Sequence, residues 1–216
     1  MPAKRRSFVG VVGATERSLR AARVEHVFVR ALAISAFGVP RTTTDVDVIV
    51  DYGEEDAPRL AESFRRRSFE VSPKDLRDAR AEGARCTVHD TLSLFPVDIA
   101  PAVRPRTKDA IRNFVRVRWR GSILPIADPE HTIVMKLVYG SDQDVEDALG
   151  IFVRQRNRLK MRRMREFASR QASSRPSVTS KGEPISKRPT GGRRHILCRL
   201  SFKSGVLRAL NPHASL

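Results

Sequence analysis

The sequence predicts an α/β (α+β) fold, a mixed β-sheet flanked by helices, with a basic C-terminal tail. Three observations predict it. Between Thr15 and Val153, short apolar strands take turns with amphipathic helical segments, the pattern of a sheet covered by helices. One strand, Asp45-Val46-Asp47-Val48-Ile49-Val50, sets valines on one face and two carboxylates on the other, because strand side chains alternate. Finally, charge is divided unevenly along the chain. From Arg154 onward there are 17 basic and 2 acidic residues, against 24 and 22 in the first 153. The division is 1–14 as an N-terminal segment, 15–168 as the domain, and 169–216 as a basic tail read as disordered.

The elements follow in order. Thr15 to Val24 reads as a helix with Thr15 as N-cap and Leu19 and Ala22 inward. Glu25 to Val29 is a strand. Ala31 to Phe37 is a helix closed by Gly38 and followed by Pro40. The acidic strand comes next, so the helix start and the carboxylates meet at one end of the sheet. Glu54 to Arg67 is amphipathic through Ala57, Leu60, Ala61 and Phe64. Phe69 to Ser72 is a strand and Pro73 to Gly83 a helix capped by Gly83. Arg85 to His89 and Leu92 to Ile99 read as paired strands around Asp90-Thr91. Val115 to Trp119 and Ile123 to Ile126 flank Gly121-Ser122 as a hairpin or a strand and loop. Asp128-Pro129-Glu130 starts a helix reaching Tyr139. Ser141 and Asp144 resemble a capping box, opening a helix that buries Val145, Ala148, Leu149, Phe152 and Val153 and turns basic to Arg165. Beyond Ser169 the chain is rich in Ser, Pro, Gly, Lys and Arg, and Ile196 to Leu210 has the apolar content for a local element.

Composition excludes several classes. No apolar run approaches the roughly 18 residues of a membrane span, and the patch after the basic start, Phe8 to Val12, is short for a signal-peptide core. Cys86 and Cys198 lack metal spacing and do not form a disulfide framework. A cytoplasmic protein with free thiols is the expectation. The basic tail points to a polyanion, RNA or tRNA above all, or is simply solvated.

Three carboxylates stand out: Asp45, Asp47 and Asp98, the last in Pro96-Val97-Asp98-Ile99. Close carboxylates repel unless a cation sits between them, and hard oxygen ligands suit Mg²⁺ or Mn²⁺. A solvent-facing strand, or for Asp98 an arginine salt bridge, fits each acid taken singly.

Leu32-Ala33-Ile34-Ser35-Ala36-Phe37-Gly38-Val39-Pro40-Arg41-Thr42-Thr43-Thr44-Asp45-Val46-Asp47-Val48 resembles the nucleotidyltransferase superfamily, with the DNA polymerase β-like fold. Within it, the chain looks like the abortive-infection type nucleotidyltransferase toxins. Asp98 matches the third acid of that family. Leu124 to Glu130, Met135-Lys136-Leu137, Asp144 and Asp147 match its later helical part. The resemblance spans Thr15 to Val153. It implies a nucleoside triphosphate and a divalent ion at Asp45 and Asp47, with Asp98 activating the acceptor. Arg41 and Thr44 lie beside the bound nucleotide. Lys136 reaches a phosphate or is an ordinary helix lysine. Asp144 and Asp147 orient site groups or serve as helix-start acids. Arg41 holds a phosphate or pairs with an acid. The acceptor is an RNA end or a protein hydroxyl, and the resemblance brings with it a toxin role and a cognate antitoxin. One departure stands out. The family opens its phosphate-cradling helix with a glycine pair or Gly-Ser, and here Arg30-Ala31 stands there. A basic residue of the later helix is likewise replaced by Ser141. The alternative is therefore a catalytically impaired relative that binds nucleic acid through its tail.

Overall fold

A computed structural model describes residues 5–173. They form a seven-stranded mixed sheet with eight helices, the α/β class the sequence predicts. The basic tail from residue 174 onward, the Ile196 to Leu210 segment and Cys198 lie outside the described residues.

The helix expected from Thr15 starts a full two turns earlier. α1 is Phe8–Ala21, and the Ser7 side chain accepts from the Gly10 amide to cap it. Gly10 and Gly13 mask a helical stripe of Phe8, Val11, Val12, Thr15 and Leu19. Thr15 is fully buried mid-helix rather than at its start. Phe8 to Ala14, read as part of an N-terminal segment, therefore lie in α1, with Val11, Val12 and Ala14 in the core.

β1 (Glu25–Phe28), α2 (Ala31–Phe37) and β2 (Val46–Asp51) fall where expected. α3 (Ala57–Arg65) and α4 (Pro73–Glu82) flank the two-residue β3 (Phe69–Glu70). Gly83 closes α4 in the left-handed region, at φ 62°, where glycine has no side chain to strain. β4 (Cys86–Asp90) and β5 (Val97–Pro101) pair antiparallel as predicted. Leu92 to Pro96 are not strand, however. Asp90 accepts from the Leu92 amide and the Ser93 hydroxyl and holds that segment as a turn. The hairpin reading of the later pair is correct: β6 (Phe114–Trp119) and β7 (Ser122–Ala127) pair antiparallel. α5 (Pro105–Arg112) joins β5 to β6.

The sheet order is β3-β4-β5-β2-β1-β7-β6. Val46, Val48 and Val50 of β2 face the larger core, with residues of α1, α3 and α4. Ile49 faces the other side, with Ala110 and Ile111 of α5 and Val27 of β1. β2 is therefore buried on both faces. Its carboxylates stand at the edge of the covered region, where the face toward α5 opens.

α6 (Pro129–Tyr139) starts at Asp128, whose side chain accepts from the His131 amide. α7 (Asp142–Gln155) opens with the full Ser141–Asp144 capping box. The face of α7 differs from expectation: Asp147, Ala148, Ile151 and Phe152 are buried, while Leu149 and Val153 are 42% and 52% exposed. On that buried face the Asp147 carboxylate meets Lys136 and Arg41. The helix expected to continue basic to Arg165 breaks after Gln155. A separate α8, Met161–Ser173, runs past the boundary expected at 169 and buries Met164 and Phe167. Among the described residues, no helix is long and apolar enough to cross a membrane.

Candidate active site

The site grows from strand pairing. β2 and β5 run parallel, and their register sets Asp47 directly beside Asp98. Both side chains therefore leave the same face of the sheet. Asp45 stands one residue before β2, and its alternation with Asp47 brings it to that face too. One carboxylate oxygen from each of the three lies within 4.8 Å of the others. Oxygens around one Mg²⁺ stand roughly 2.9–4.2 Å apart, given Mg–O distances of about 2.1 Å. A small inward movement of the three carboxylates suffices to clasp a divalent ion. The donor set is all hard oxygen, as such an ion requires.

Hydroxyls orient two of the acids. Thr43 Oγ1 donates to Asp45 Oδ1 at 2.8 Å, and Thr87 Oγ1 donates to Asp98 Oδ1 at 2.8 Å. Outer hydrogen bonds of this kind fix ligand direction while leaving a second oxygen free. Asp47 has a different environment. Its side chain is 6% exposed, and burial pushes its carboxyl up to about 6. Arg30 opposes that rise, Asp45 adds to it, Arg85 opposes it and Asp98 adds to it. Arg30 Nε stands 3.3 Å and Arg85 Nη1 3.8 Å from Asp47 Oδ1; Arg85 Nη1 is also 3.5 Å from Asp98 Oδ2. Two guanidinium groups thus supply positive charge where three acids converge.

Arg30 occupies the place of the missing glycine and keeps a glycine-like backbone, φ 53° and ψ −117°. L side chains rarely adopt this region. Its guanidinium also lies 5.8 Å from the Tyr139 ring centroid, within cation–π reach.

The remaining sequence candidates divide. Lys136 is buried and lines the cavity, but its ammonium is committed. It donates to Asp144 Oδ1 at 2.8 Å and stands 2.9 Å from Asp147 Oδ2, without hydrogen-bond alignment to the latter. Burial raises Asp144, but the hydrogen bonds from Lys136 and Ser141 outweigh it and hold the carboxyl below the ordinary range. Asp144 and Asp147 therefore anchor Lys136. Arg41 reaches Asp147 Oδ1 at 3.4 Å. Thr44 is exposed, and its neighbour Thr43 is the residue that contacts a site carboxylate.

A cavity of about 490 Å³ opens over Asp47 and Asp98, between β2, β5, α5 and α6. That is the size of a small-molecule site. Arg30, Asp47, Arg85, Asp98, Arg104, Arg106, Lys136, Tyr139 and Asp144 supply much of its polar lining. The sequence reading missed Arg85, Arg104, Arg106 and Thr87. Thr87 became visible only through register, being the cross-strand partner of Asp98. Among so many arginines, no spacing singles out the other three.

No protein-family model matches the chain, and no curated protein matches it. Solved structures do. The crystal structure of ANT(2")-Ia in complex with adenylyl-2"-tobramycin is 12% identical, with a TM-score of 0.53 over 76% of this chain and 97% of that one. The solution structure of the antibiotic-resistance factor ANT(2'')-Ia is 13% identical, with a TM-score of 0.51 over 77% and 94%. At these identities the likeness establishes fold alone, that of ANT(2'')-Ia.

Proposed function

We propose that the chain is a metal-dependent nucleotidyltransferase moving a nucleotidyl group from a nucleoside triphosphate to a hydroxyl. The observation that carries this reading is the convergence of Asp45, Asp47 and Asp98 within 4.8 Å, with Asp47 and Asp98 lining the cavity. These three carboxylates are the ligands for Mg²⁺ or Mn²⁺, which when bound makes the acceptor hydroxyl more acidic and steadies the charge on the leaving group. Thr43 and Thr87 hold Asp45 and Asp98 in direction. Asp98, at the edge of the trio, orients the acceptor hydroxyl and accepts its proton. The acceptor oxygen then bonds to the α-phosphorus while the bond to the β-phosphate oxygen breaks, and pyrophosphate leaves. Arg30 and Lys136, on the side of α6, face the triphosphate, and the Lys136 ammonium is held in place by Asp144 and Asp147. Arg41 and Thr44 border the nucleotide. The acceptor is an RNA end, tRNA-like, or a protein hydroxyl. A toxin role with a cognate antitoxin is the finer reading that the family resemblance adds.

The test is transfer of label from α-labelled triphosphates in Mg²⁺ or Mn²⁺ to total RNA or to protein. Label should move with the wild type and fall by roughly a hundredfold or more in Asp45→Asn and Asp98→Asn, the loss typical of removing a group that stabilises the transition state. No transfer to any acceptor, or transfer unchanged in both variants, overturns the reading.

Arg30 supports a second reading. Its guanidinium lies on Asp47, at the position where the family has glycine. In this reading the chain is catalytically impaired and binds nucleic acid through its basic tail. Metal-dependent triphosphate binding that appears only after Arg30→Gly/Ala31→Gly selects it.

A further inference from the structure

We infer that the wall formed by Arg104 and Arg106 is a phosphate-binding subsite that selects an acceptor with a phosphate group beside its reacting hydroxyl. This deepens the nucleotidyltransferase reading above and rests on it. The cavity holds five cationic side chains, Arg30, Arg85, Arg104, Arg106 and Lys136. Three of them face acids. Lys136 is held by Asp144 and Asp147, while Arg30 and Arg85 lean on Asp47, and Arg85 also on Asp98. Arg104 and Arg106 have no carboxylate partner among the described residues.

The positions of these charges separate two roles. Asp47 Oδ1 is shared by Arg30 and Arg85, and two contact paths lead away from it. One runs from Arg30 to the Tyr139 ring on α6, one turn from Lys136. The other runs from Arg85 back to Gly83, against which Arg104 is packed. A Cβ added at Gly83 would meet Arg104 Nε at 3.0 Å and Nη2 at 3.3 Å. Gly83 thus does two things: it takes the left-handed turn after α4, and its bare Cα leaves room for the guanidinium. The first path suits the triphosphate. The second lies across the carboxylates from it, where an acceptor approaches.

Ion binding sharpens the contrast. Asp47 and Asp98, which Arg30 and Arg85 now face, would instead serve a divalent ion held with Asp45. The wall around Arg85, Arg104 and Arg106 is then left with three guanidinium groups and no acid of its own. Guanidinium groups bind phosphate through paired, charge-assisted hydrogen bonds, and they repel a polyamine. The wall therefore favours a phosphomonoester or phosphodiester. A phosphorylated sugar and a short RNA end both present that chemistry.

The experiment uses the full chain and four probes: ribose 5-phosphate, a trinucleotide RNA with a free 3′-hydroxyl, ribose, and spermidine. Binding is measured by calorimetry, with and without Mn²⁺ and a non-hydrolysable triphosphate. In Arg104→Glu/Arg106→Glu, binding of the phosphate probes should weaken roughly tenfold or more, as expected when charge-assisted hydrogen bonds are lost. Arg104→Lys/Arg106→Lys, which keeps the charge, should retain most of it and shows that the site still folds. The probe that loses more identifies the source, small molecule or RNA. Mn²⁺·triphosphate binding should stay within about twofold. The subsite is overturned if the charge-reversed protein binds both phosphate probes as the wild type does. It is equally overturned if the wild type binds neither, or binds ribose or spermidine as tightly. Absence of triphosphate binding instead refutes the nucleotidyltransferase reading, and the arm without nucleotide still decides the subsite.

Discussion

Asp47 and Arg30 carry opposite kinds of strain. Asp47 is a carboxylate taken out of water, and burial lifts its value from 3.8 to about 6. A folded value above the unfolded one means that ionisation costs stability. The cost is absent below about pH 4 and grows as pH rises through about 6, reaching roughly 3 kcal/mol. With chelator present, Asp47→Asn should therefore gain on the wild type in melting temperature between pH 4 and pH 8. A difference that does not change with pH would refute this account of the burial. Arg30 stores its strain in the backbone, at φ 53° and ψ −117°, at a cost on the order of 1–3 kcal/mol. Arg30→Ala keeps the strained geometry and removes the ion pair with Asp47. Arg30→Gly removes both. In urea unfolding, the Gly variant should be the more stable of the two by about 1 kcal/mol. An Ala variant as stable as the Gly variant would mean the backbone is not strained.

At the scale of elements, helix ends hold the site. The Ser141–Asp144 capping box fixes the start of α7 and turns Asp144 toward Lys136 in the same structure. α8 is tied to α6 by a buried charge. Asp128, 3% exposed at its side chain, caps α6 with one oxygen, while its other oxygen lies 2.6 Å from Arg163 Nη2. Burial raises the Asp128 carboxyl despite its bonds to the His131 amide and its pairing with Arg163. Removing Arg163 leaves that carboxylate without its partner. A fully buried broken pair costs roughly 3–5 kcal/mol. Because Arg163 is about one-third exposed, the expected loss in Arg163→Ala is about 2 kcal/mol. Asp128→Asn should recover part of that loss in the double variant. A chevron or urea-melt cycle showing simple additivity would remove the pair from the account of α8 docking.

At the scale of the molecule, the sheet is the device that brings distant residues together. β1, β2 and β5 set Arg30, Asp45, Asp47 and Asp98 at one end of the sheet, and α5, α6 and the Gly83–Arg85 turn wall the space beside them. An ion bound there stabilises the whole domain by mass action, by about 2.7 kcal/mol at a concentration a hundred times its Kd. For a domain of this size that raises the melting temperature by roughly 5–10 °C. Saturating Mn²⁺ should produce this rise in the wild type and not in Asp45→Asn/Asp98→Asn. An equal rise in both proteins would place the ion elsewhere.

The sequence by itself determined the class of fold, the sequence of most elements and the identity of three acids. These are local properties: side-chain alternation on β2, caps at Gly83, Asp128 and Ser141, and apolar periodicity are all written into short stretches of chain. Where local signals conflicted, the sequence misled. Gly10 and Gly13 hid the first half of α1, and Leu149 and Val153 suggested a buried face of α7 that is instead made by Asp147, Ala148, Ile151 and Phe152. What only the tertiary structure decided was pairing at long range. The parallel register of β2 and β5 set Asp47 against Asp98, and the antiparallel register of β4 set Thr87 against Asp98. It also chose Arg85, Arg104 and Arg106 from a chain crowded with arginines. A guanidinium looks the same in sequence whether it faces solvent or a carboxylate, because the difference is made by the neighbours that folding supplies.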